Sequence, residues 1–252
     1  MRNSILTLSD VSKAYDKQIV LSNITFDIKQ GEFLSILGSS GCGKSTLLRL
    51  LCGIESASIG KVLKQGQDIV KLKPAERNMG IIFQNYALFQ NMTAYENVAY
   101  ALKARRLPKQ EIQSKVDEIL KVVGLFEHKD KKPALLSGGQ QQRCAIARTL
   151  VLKPDIILFD EPMSALDANI KAVLRNLIKQ IQSTFGTTIV YVTHDVEEAF
   201  TLSDRILLIN DSKIVQIDTP SNMYHSPANE FVRSFIGDAL DNKLALIKEN
   251  IS

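Results

Sequence analysis

Gly38-Ser39-Ser40-Gly41-Cys42-Gly43-Lys44-Ser45 is the stretch on which the reading of the fold turns. It matches the pattern G-x-x-x-x-G-K-[ST]. Before it, Phe33-Leu34-Ser35-Ile36-Leu37 is a short, nearly continuous apolar run, which predicts a strand buried on both faces, as in a parallel sheet. After it, Leu47-Leu48-Arg49-Leu50-Leu51 reads as the apolar face of a helix. A tight strand-to-helix loop poor in Cβ atoms lets successive N–H groups converge on a polyphosphate. The helix N-terminus adds about half a positive charge. In such a loop Lys44 reaches the β- and γ-phosphates and the Ser45 hydroxyl ligates Mg²⁺. The competing reading is an ordinary glycine-rich turn.

Outward from the loop, Ile5-Leu6-Thr7-Leu8 and Ile24-Thr25-Phe26-Asp27-Ile28 repeat apolar positions at a short period and predict an N-terminal antiparallel β portion. Residues 93–107 and 109–123 read as helices. Thr93 with Glu96 has capping-box spacing; Pro108 starts the second helix and Gly124 ends it. This block lacks strand runs and is assigned as a helical subdomain of about 90–153. Ser137 with Gln140 repeats the capping-box spacing, in a helix expected to stop at Lys153-Pro154. Ile156-Ile157-Leu158-Phe159 is another buried strand, followed by a helix from about Asp167 to Phe185 with Gly186 as its stop. Thr188 to Val192 is a strand, Asp195 with Glu198 caps a helix, and 205–209 with 213–217 form a hairpin around Asn210-Asp211-Ser212. Strands alternating with helices at this spacing predict an α/β fold with a mostly parallel sheet.

The chain has 252 residues, net charge +4 and 45% hydrophobic residues, enough for a large core, so wholesale disorder is excluded. No window approaches the roughly 18 uninterrupted apolar residues of a membrane-spanning helix, and the N-terminus lacks a signal-peptide stretch. Three scattered cysteines, Cys42, Cys52 and Cys144, make neither a disulfide framework nor a zinc site. These features predict a cytoplasmic chain. Cys42, near a helix start, has a setting that lowers thiol pKa values; Cys52 and Cys144 read as small core residues.

Two further segments carry chemistry. The strand at 156–159 ends in Asp160-Glu161. Asp160 suits support of a Mg²⁺ shell, and Glu161, pointing elsewhere, suits polarising an attacking water. An Asp-Glu pair that merely solvates a turn or caps a helix is the alternative. Leu136-Ser137-Gly138-Gly139-Gln140 places two glycines in a helix's first turn, against helix propensity, which suggests that the backbone approaches something closely. An exposed helix start is a second anion site; the alternative is a plain capping box.

On these residues the chain resembles the nucleotide-binding subunits of ABC transporters, over about residues 5–236. Gly38 to Ser45 is similar to the Walker A loop, Gln84 in Phe83-Gln84-Asn85-Tyr86 to the Q-loop, and Leu136 to Gln140 to the signature. Ile156 to Asp160 is similar to Walker B, Glu161 to the catalytic glutamate, Ser164-Ala165-Leu166-Asp167 to the D-loop and His194 to the switch histidine. Tyr15 matches the aromatic that stacks on adenine. The run from Phe83 to Phe89 and that from Leu136 to Arg143 look like bacterial importers of ferric iron, polyamines, phosphonates, sulfate or sugars.

The resemblance implies a P-loop nucleotidase core over 1–237, with an antiparallel β subdomain and the helical subdomain. It implies an ATPase with ATP and Mg²⁺, built as a head-to-tail dimer with a second copy. Tyr15, Gly38, Ser39, Ser40, Gly41, Cys42, Gly43, Lys44, Ser45 and Thr46 would hold nucleotide, with Ser137, Gly138, Gly139 and Gln140 from the partner. Asp167 would cross the interface, Ser45, Gln84 and Asp160 would serve Mg²⁺, and Glu161, His194, Lys44 and Gln84 would be catalytic. Membrane permease subunits would dock near Gln84 to Phe89 at the cytoplasmic face of the membrane, with a solute-binding protein and no nucleic acid. Two departures stand out. Gln90 replaces the proline usual in that group, and the 238–252 tail is expected to carry no regulatory β-barrel. A soluble non-transport ABC ATPase and a regulatory cassette are the alternatives; a P-loop kinase leaves the signature unexplained.

Overall fold

The computed structural model describes residues 3–16 and 18–241. Along the chain run β1 (Ser4–Tyr15), β2 (Gln18–Lys29), β3 (Phe33–Leu37), α1 (Lys44–Cys52), β4 (Ile59–Lys64), β5 (Gln67–Asp68) and β6 (Met79–Ile82). There follow α2 (Ala94–Ala104), α3 (Lys109–Val122), α4 (Gly138–Leu150), β7 (Ile156–Asp160), α5 (Ala168–Phe185) and β8 (Thr188–Thr193). The chain then forms α6 (Val196–Leu202), β9 (Arg205–Asn210), β10 (Lys213–Asp218), α7 (Pro220–His225) and α8 (Glu230–Arg233), which continues into a π-helical turn, Ser234–Asp238. Of the expected tail, 242–252 lie outside the described residues. Two compact units result, residues 1–77 with 188–252, and residues 78–187.

In the first unit, β1 pairs antiparallel with β2 and with β4, as the N-terminal alternation predicts. The strand order of this sheet is β2-β1-β4-β5. A second set runs β10-β9-β3-β8, with β3 parallel to both β8 and β9. Every residue of β3 and of β8 is buried, the signature of strands covered on both faces. The β9–β10 hairpin turns through Asp211 (φ 46°) and Ser212 (φ 65°), the pair of positive angles that a tight right-twisting hairpin needs. Behind β3, Leu37, Val196, Ala199, Ile206, Leu208, Met223, Val232 and Ile236 form one apolar core.

In the second unit, β6 and β7 are parallel, and every residue of β7 is buried. Helix α2 starts at the expected capping box, with Thr93 accepting from the Glu96 N–H and Glu96 from the Thr93 N–H. Helix α4 ends at Leu150, a turn earlier than its proline suggests, and Lys153 takes a left-handed φ of 49° before Pro154. Helix α5 begins on Asp167 as N-cap and stops at left-handed Gly186. The short strands β4, β5 and β6 carry too little alternation to be foreseen. Among the described residues no helix is long and apolar enough to cross a membrane.

Candidate functional site

The loop from Gly38 to Gly43, the candidate phosphate loop, lies in the first unit, between buried β3 and α1. Gly43 is the N-cap of α1, at φ 103°, and no side chain caps the helix. A Cβ at Gly43 would lie 2.7 Å from the Val20 carbonyl oxygen, and one at Gly38 would lie 2.3 Å from that of Ile209. Both glycines therefore answer to close backbone approach. The Lys44 side chain, 4% exposed, folds into the loop and donates to the carbonyls of Gly38 (2.9 Å) and Ser39 (2.8 Å). Its ammonium is thus held at the centre of the cradle at the head of a helix, where an anion is favoured. Ser39, Ser40 and Gly41 are exposed on the loop, and Ser45 and Thr46 are half-buried in the first turn.

The far end of α1 is secured by Arg77, which is 2% exposed. Its guanidinium donates to the carbonyls of Leu50 (2.8 Å) and Leu51 (2.9 Å) in the last turn, and to Leu72 and Val70 (3.0 Å each). A cation at a helix C-terminus complements the helix dipole. Burial pushes its pKa down. Sequence reading missed Arg77 because its partners at 50 and 51 lie more than twenty positions away.

Cys42 corrects an expectation. It stands near a helix start, yet burial outweighs the nearby Lys44 and pushes the thiol pKa up. Desolvation of a thiolate costs more than the helix terminus returns. Cys52 and Cys144 are buried free thiols, as expected. Tyr15 closes β1 and is 40% exposed. Lys13 Nζ sits 4.7 Å from the ring centroid, and Glu55 holds that lysine at 2.9 Å. The Lys13 hydrogen bond in turn keeps the Glu55 carboxyl below its usual pKa. His194 is exposed directly after fully buried β8. Asp195 caps α6 as expected, but Glu198 does not complete a capping box. Its carboxylate accepts from the buried hydroxyls of Tyr191 and Thr193 instead.

The second unit carries the other candidates. Asp160 ends β7 and is buried. Glu161 follows at φ 46°, a left-handed conformation unusual for a side-chain-bearing residue and characteristic of strained functional positions. Ser164 Oγ donates to the Glu161 carbonyl (3.1 Å) and accepts from Gln84 Nε2 (3.0 Å). The expected Q-loop amide and D-loop serine are therefore joined, a link that the sequence did not announce. Asp167 Oδ1 accepts from the Ile170 N–H (3.0 Å) as the cap of α5.

The Leu136 to Gln140 segment forms the expected capping box, Ser137 with Gln140. A Cβ at Gly139 would lie 2.7 Å from Ile170 Cγ2. The close approach demanded of this glycine is thus, within the chain, to α5. Gly138 is exposed and meets only an ordinary contact with Leu166.

The segment after Gln84 bends through Tyr86 (φ 61°) and Ala87 (φ 47°). Arg148 of α4 fixes both, donating to the carbonyls of Ala87 (2.6 Å) and Tyr86 (3.1 Å). Buried Asn97 of α2 accepts from the Phe89 N–H and donates to the carbonyls of Phe89, Met92 and Thr93. The partly exposed rings of Phe89 and Tyr100 pack at 4.6 Å. Gln90 donates back to the Leu88 carbonyl. A basic residue in the otherwise apolar Ala145-Ile146-Ala147-Arg148 run was the available signal for Arg148.

Comparison with known proteins gives concordant results. A family model described as ABC transporter matches residues 21–164. The chain is 45% identical, over 98% of its length, to the Fe(3+) ions import ATP-binding protein FbpC of Fusobacterium nucleatum, of which it covers 65%. It is 48% identical over 92% of its length to the spermidine/putrescine import ATP-binding protein PotA of Thermotoga maritima, covering 63% of that protein. It thus spans just under two thirds of the length of these relatives. An uncharacterized ABC transporter ATP-binding protein, y4fO of Sinorhizobium fredii, is 46% identical over 97% of the chain and 72% of its own length. Among solved structures, CbiO1 of Clostridium perfringens, described as part of the ABC transporter complex CbiONQ, superposes with a TM-score of 0.84 at 29% identity. The match covers 99% of each chain.

Proposed function

This chain belongs to the ABC transporter family, and on that premise we propose that it is the ATP-hydrolysing subunit of a small-solute importer. The observation that carries the reading is the cradle at Gly38 to Thr46: a glycine-capped helix start without a side-chain cap, with the Lys44 ammonium held inside the loop. That is a device for binding a polyphosphate.

Two copies pair head to tail, with ATP between the phosphate loop of one and Ser137, Gly138, Gly139 and Gln140 of the other. Tyr15 stacks on the adenine. The donor set suits a hard cation, since the Ser45 hydroxyl, the Gln84 amide and the Asp160 carboxylate all offer oxygen. Mg²⁺ is ordinarily held by one or two carboxylates together with phosphate oxygens and water. On the family resemblance Ser45, Gln84 and Asp160 would be the residues to hold Mg²⁺, and the ion would supply neutralisation of charge on the phosphates. Lys44 binds the terminal phosphates, Glu161 orients the attacking water, His194 stabilises the γ-phosphate, and Asp167 links the two sites across the interface. The chemistry is electrostatic positioning, with no covalent intermediate.

Closure of the pair is communicated to separate permease subunits that dock at Tyr86 to Phe89. Support for that surface is its backbone, pinned by Arg148 and Asn97, and the exposed rings of Phe89 and Tyr100. The protein works peripherally at the cytoplasmic face of the membrane, with a solute-binding protein in the full system. The relatives named for ferric iron and for spermidine/putrescine mark the solute class. The test is a mild-detergent pull-down of the tagged chain from its native membranes, with mass spectrometry of its partners. A co-purifying multi-spanning permease is expected. Soluble partners alone, with ATPase activity intact, would overturn the transport assignment.

A further inference from the structure

We propose that Thr193, Glu198 and Tyr191 form a positioning device that fixes the backbone on both sides of His194, a proposal that rests on the role given to His194 above. The arrangement is a closed ring of hydrogen bonds. Thr193 Oγ1 donates to Glu198 Oε2 (2.9 Å), the Glu198 N–H donates to Asp195 Oδ1 (3.2 Å), and the Asp195 N–H donates to Thr193 Oγ1 (3.0 Å). His194 is the one residue between the two backbone positions that the ring ties. A threonine hydroxyl has a single hydrogen. The Asp195 N–H can only donate, so Thr193 Oγ1 accepts from it with one of its two lone pairs and gives its single hydrogen to Glu198. Tyr191 adds a second donor to the same carboxylate oxygen, at 2.9 Å.

The surroundings are buried and packed. Tyr191 is fully buried, Thr193 is 2% exposed and Glu198 4%. The Tyr191 ring packs on Phe33 at 5.8 Å. Thr193 pairs in register with Leu37, the residue immediately before Gly38. The base of the phosphate loop and the base of His194 are thus neighbours on adjacent strands, and the ring determines how His194 leaves its strand.

A buried carboxylate is costly unless hydrogen-bonded, and an apolar residue at 198 would pack at less cost. The cost is incurred beside the one exposed residue at this strand end. A histidine that must reach a phosphate oxygen has little tolerance for misplacement, since an error of about 1 Å costs as much as a hundredfold in rate.

The experiment measures kcat and KM for ATP, with thermal unfolding alongside, for Thr193→Val, Thr193→Ser, Tyr191→Phe, His194→Ala and Thr193→Val with His194→Ala. Thr193→Val keeps the shape and breaks two links of the ring. It is expected to lower kcat about tenfold with KM for ATP within about twofold of wild type. Thr193→Ser keeps the hydroxyl and restores kcat. In the His194→Ala background Thr193→Val should change kcat by less than about twofold, because the group it positions is gone. Tyr191→Phe, which leaves the ring intact, gives a smaller loss that also vanishes in that background and keeps the test open should Thr193→Val fold poorly. An unaltered kcat in Thr193→Val beside an inactive His194→Ala would overturn the proposal alone, as would equal losses in both backgrounds. A fully active His194→Ala would overturn the role of His194 itself and this proposal with it.

Discussion

Replacing Arg77 by leucine removes the guanidinium that secures the C-terminal end of the phosphate-loop helix. The structure sets the magnitude. Arg77 donates to the carbonyls of Leu50, Leu51, Val70 and Leu72, and at 2% exposure water does not take its place. The Leu50 oxygen keeps a second donor, the Gly53 N–H at 3.2 Å; the other three oxygens lose the guanidinium. An unsatisfied buried acceptor costs about 1–3 kcal/mol; that cost falls fully on Leu51 and only in part on Val70 and Leu72, whose bonds to Arg77 are part-buried. Part of that loss is offset, because the variant no longer buries a cation, whose desolvation is itself costly. The net expectation is a destabilisation of about 3 kcal/mol. At about 2–4 °C per kcal/mol for a chain of this size, the thermal midpoint falls by roughly 6–12 °C. Arg77→Lys keeps the charge but cannot span all of these carbonyls, so it falls between the two. Urea unfolding, fitted with a common slope, gives the free-energy difference directly. A loss below about 1 kcal/mol in Arg77→Leu would show that the clamp is not needed to hold α1.

The remaining expectations concern single side chains. A Cβ on Gly80 would lie 2.1 Å from Thr149 Cγ2, so Gly80→Ala should cost about 1–3 kcal/mol. Adding Thr149→Ser, which deletes that methyl but keeps the hydroxyl bonded to Ala145, should recover most of it; no recovery in the double variant would place the strain elsewhere. Gln142 is buried with neither amide atom paired, so Gln142→Met should raise stability by about 1 kcal/mol in chemical unfolding, and a loss would show that the amide has a partner in solution. Burial pushes the Cys144 thiol from 9.0 up to about 11. As pH rises through that window the unfolded chain releases its proton first, so stability is fully present below pH 9 and falls by roughly 2–3 kcal/mol towards pH 11. Cys144→Ala should lose that component of the alkaline slope, and an identical slope in both proteins would refute the assignment.

The strand, glycine-bearing loop and helix at 33–52 were legible because their determinants are local: an apolar run, a spaced set of glycines, a lysine and a second apolar run within twenty residues. The caps at Thr93 and Ser137 and the start of α5 at Asp167 were legible for the same reason. What escaped depends on packing across distance. Arg77 reaches carbonyls at positions 50 and 51, Arg148 those at 86 and 87, and Gln84 finds Ser164 eighty positions on. Glu198 has the spacing of a capping residue, yet the buried hydroxyls of Tyr191 and Thr193 compete for its carboxylate and win. Cys42 sits at a helix start, where sequence rules favour a low thiol pKa, but burial outweighs the field. The glycine pair at 138 and 139 predicts a close approach of the backbone to something, and within the chain Gly139 makes that approach to Ile170. Strands β4, β5 and β6 were missed because they are short and carry too little alternation.

The central claim is that this chain binds and hydrolyses ATP as a head-to-tail pair in which Glu161 orients the attacking water. Glu161→Gln, incubated with Mg-ATP or Mg-ADP, tests it most directly by light scattering on a sizing column together with phosphate release. The account predicts a stable dimer with ATP and none with ADP, and turnover reduced by about 10²–10⁴. Wild-type turnover, or a mass that does not respond to ATP, would contradict it.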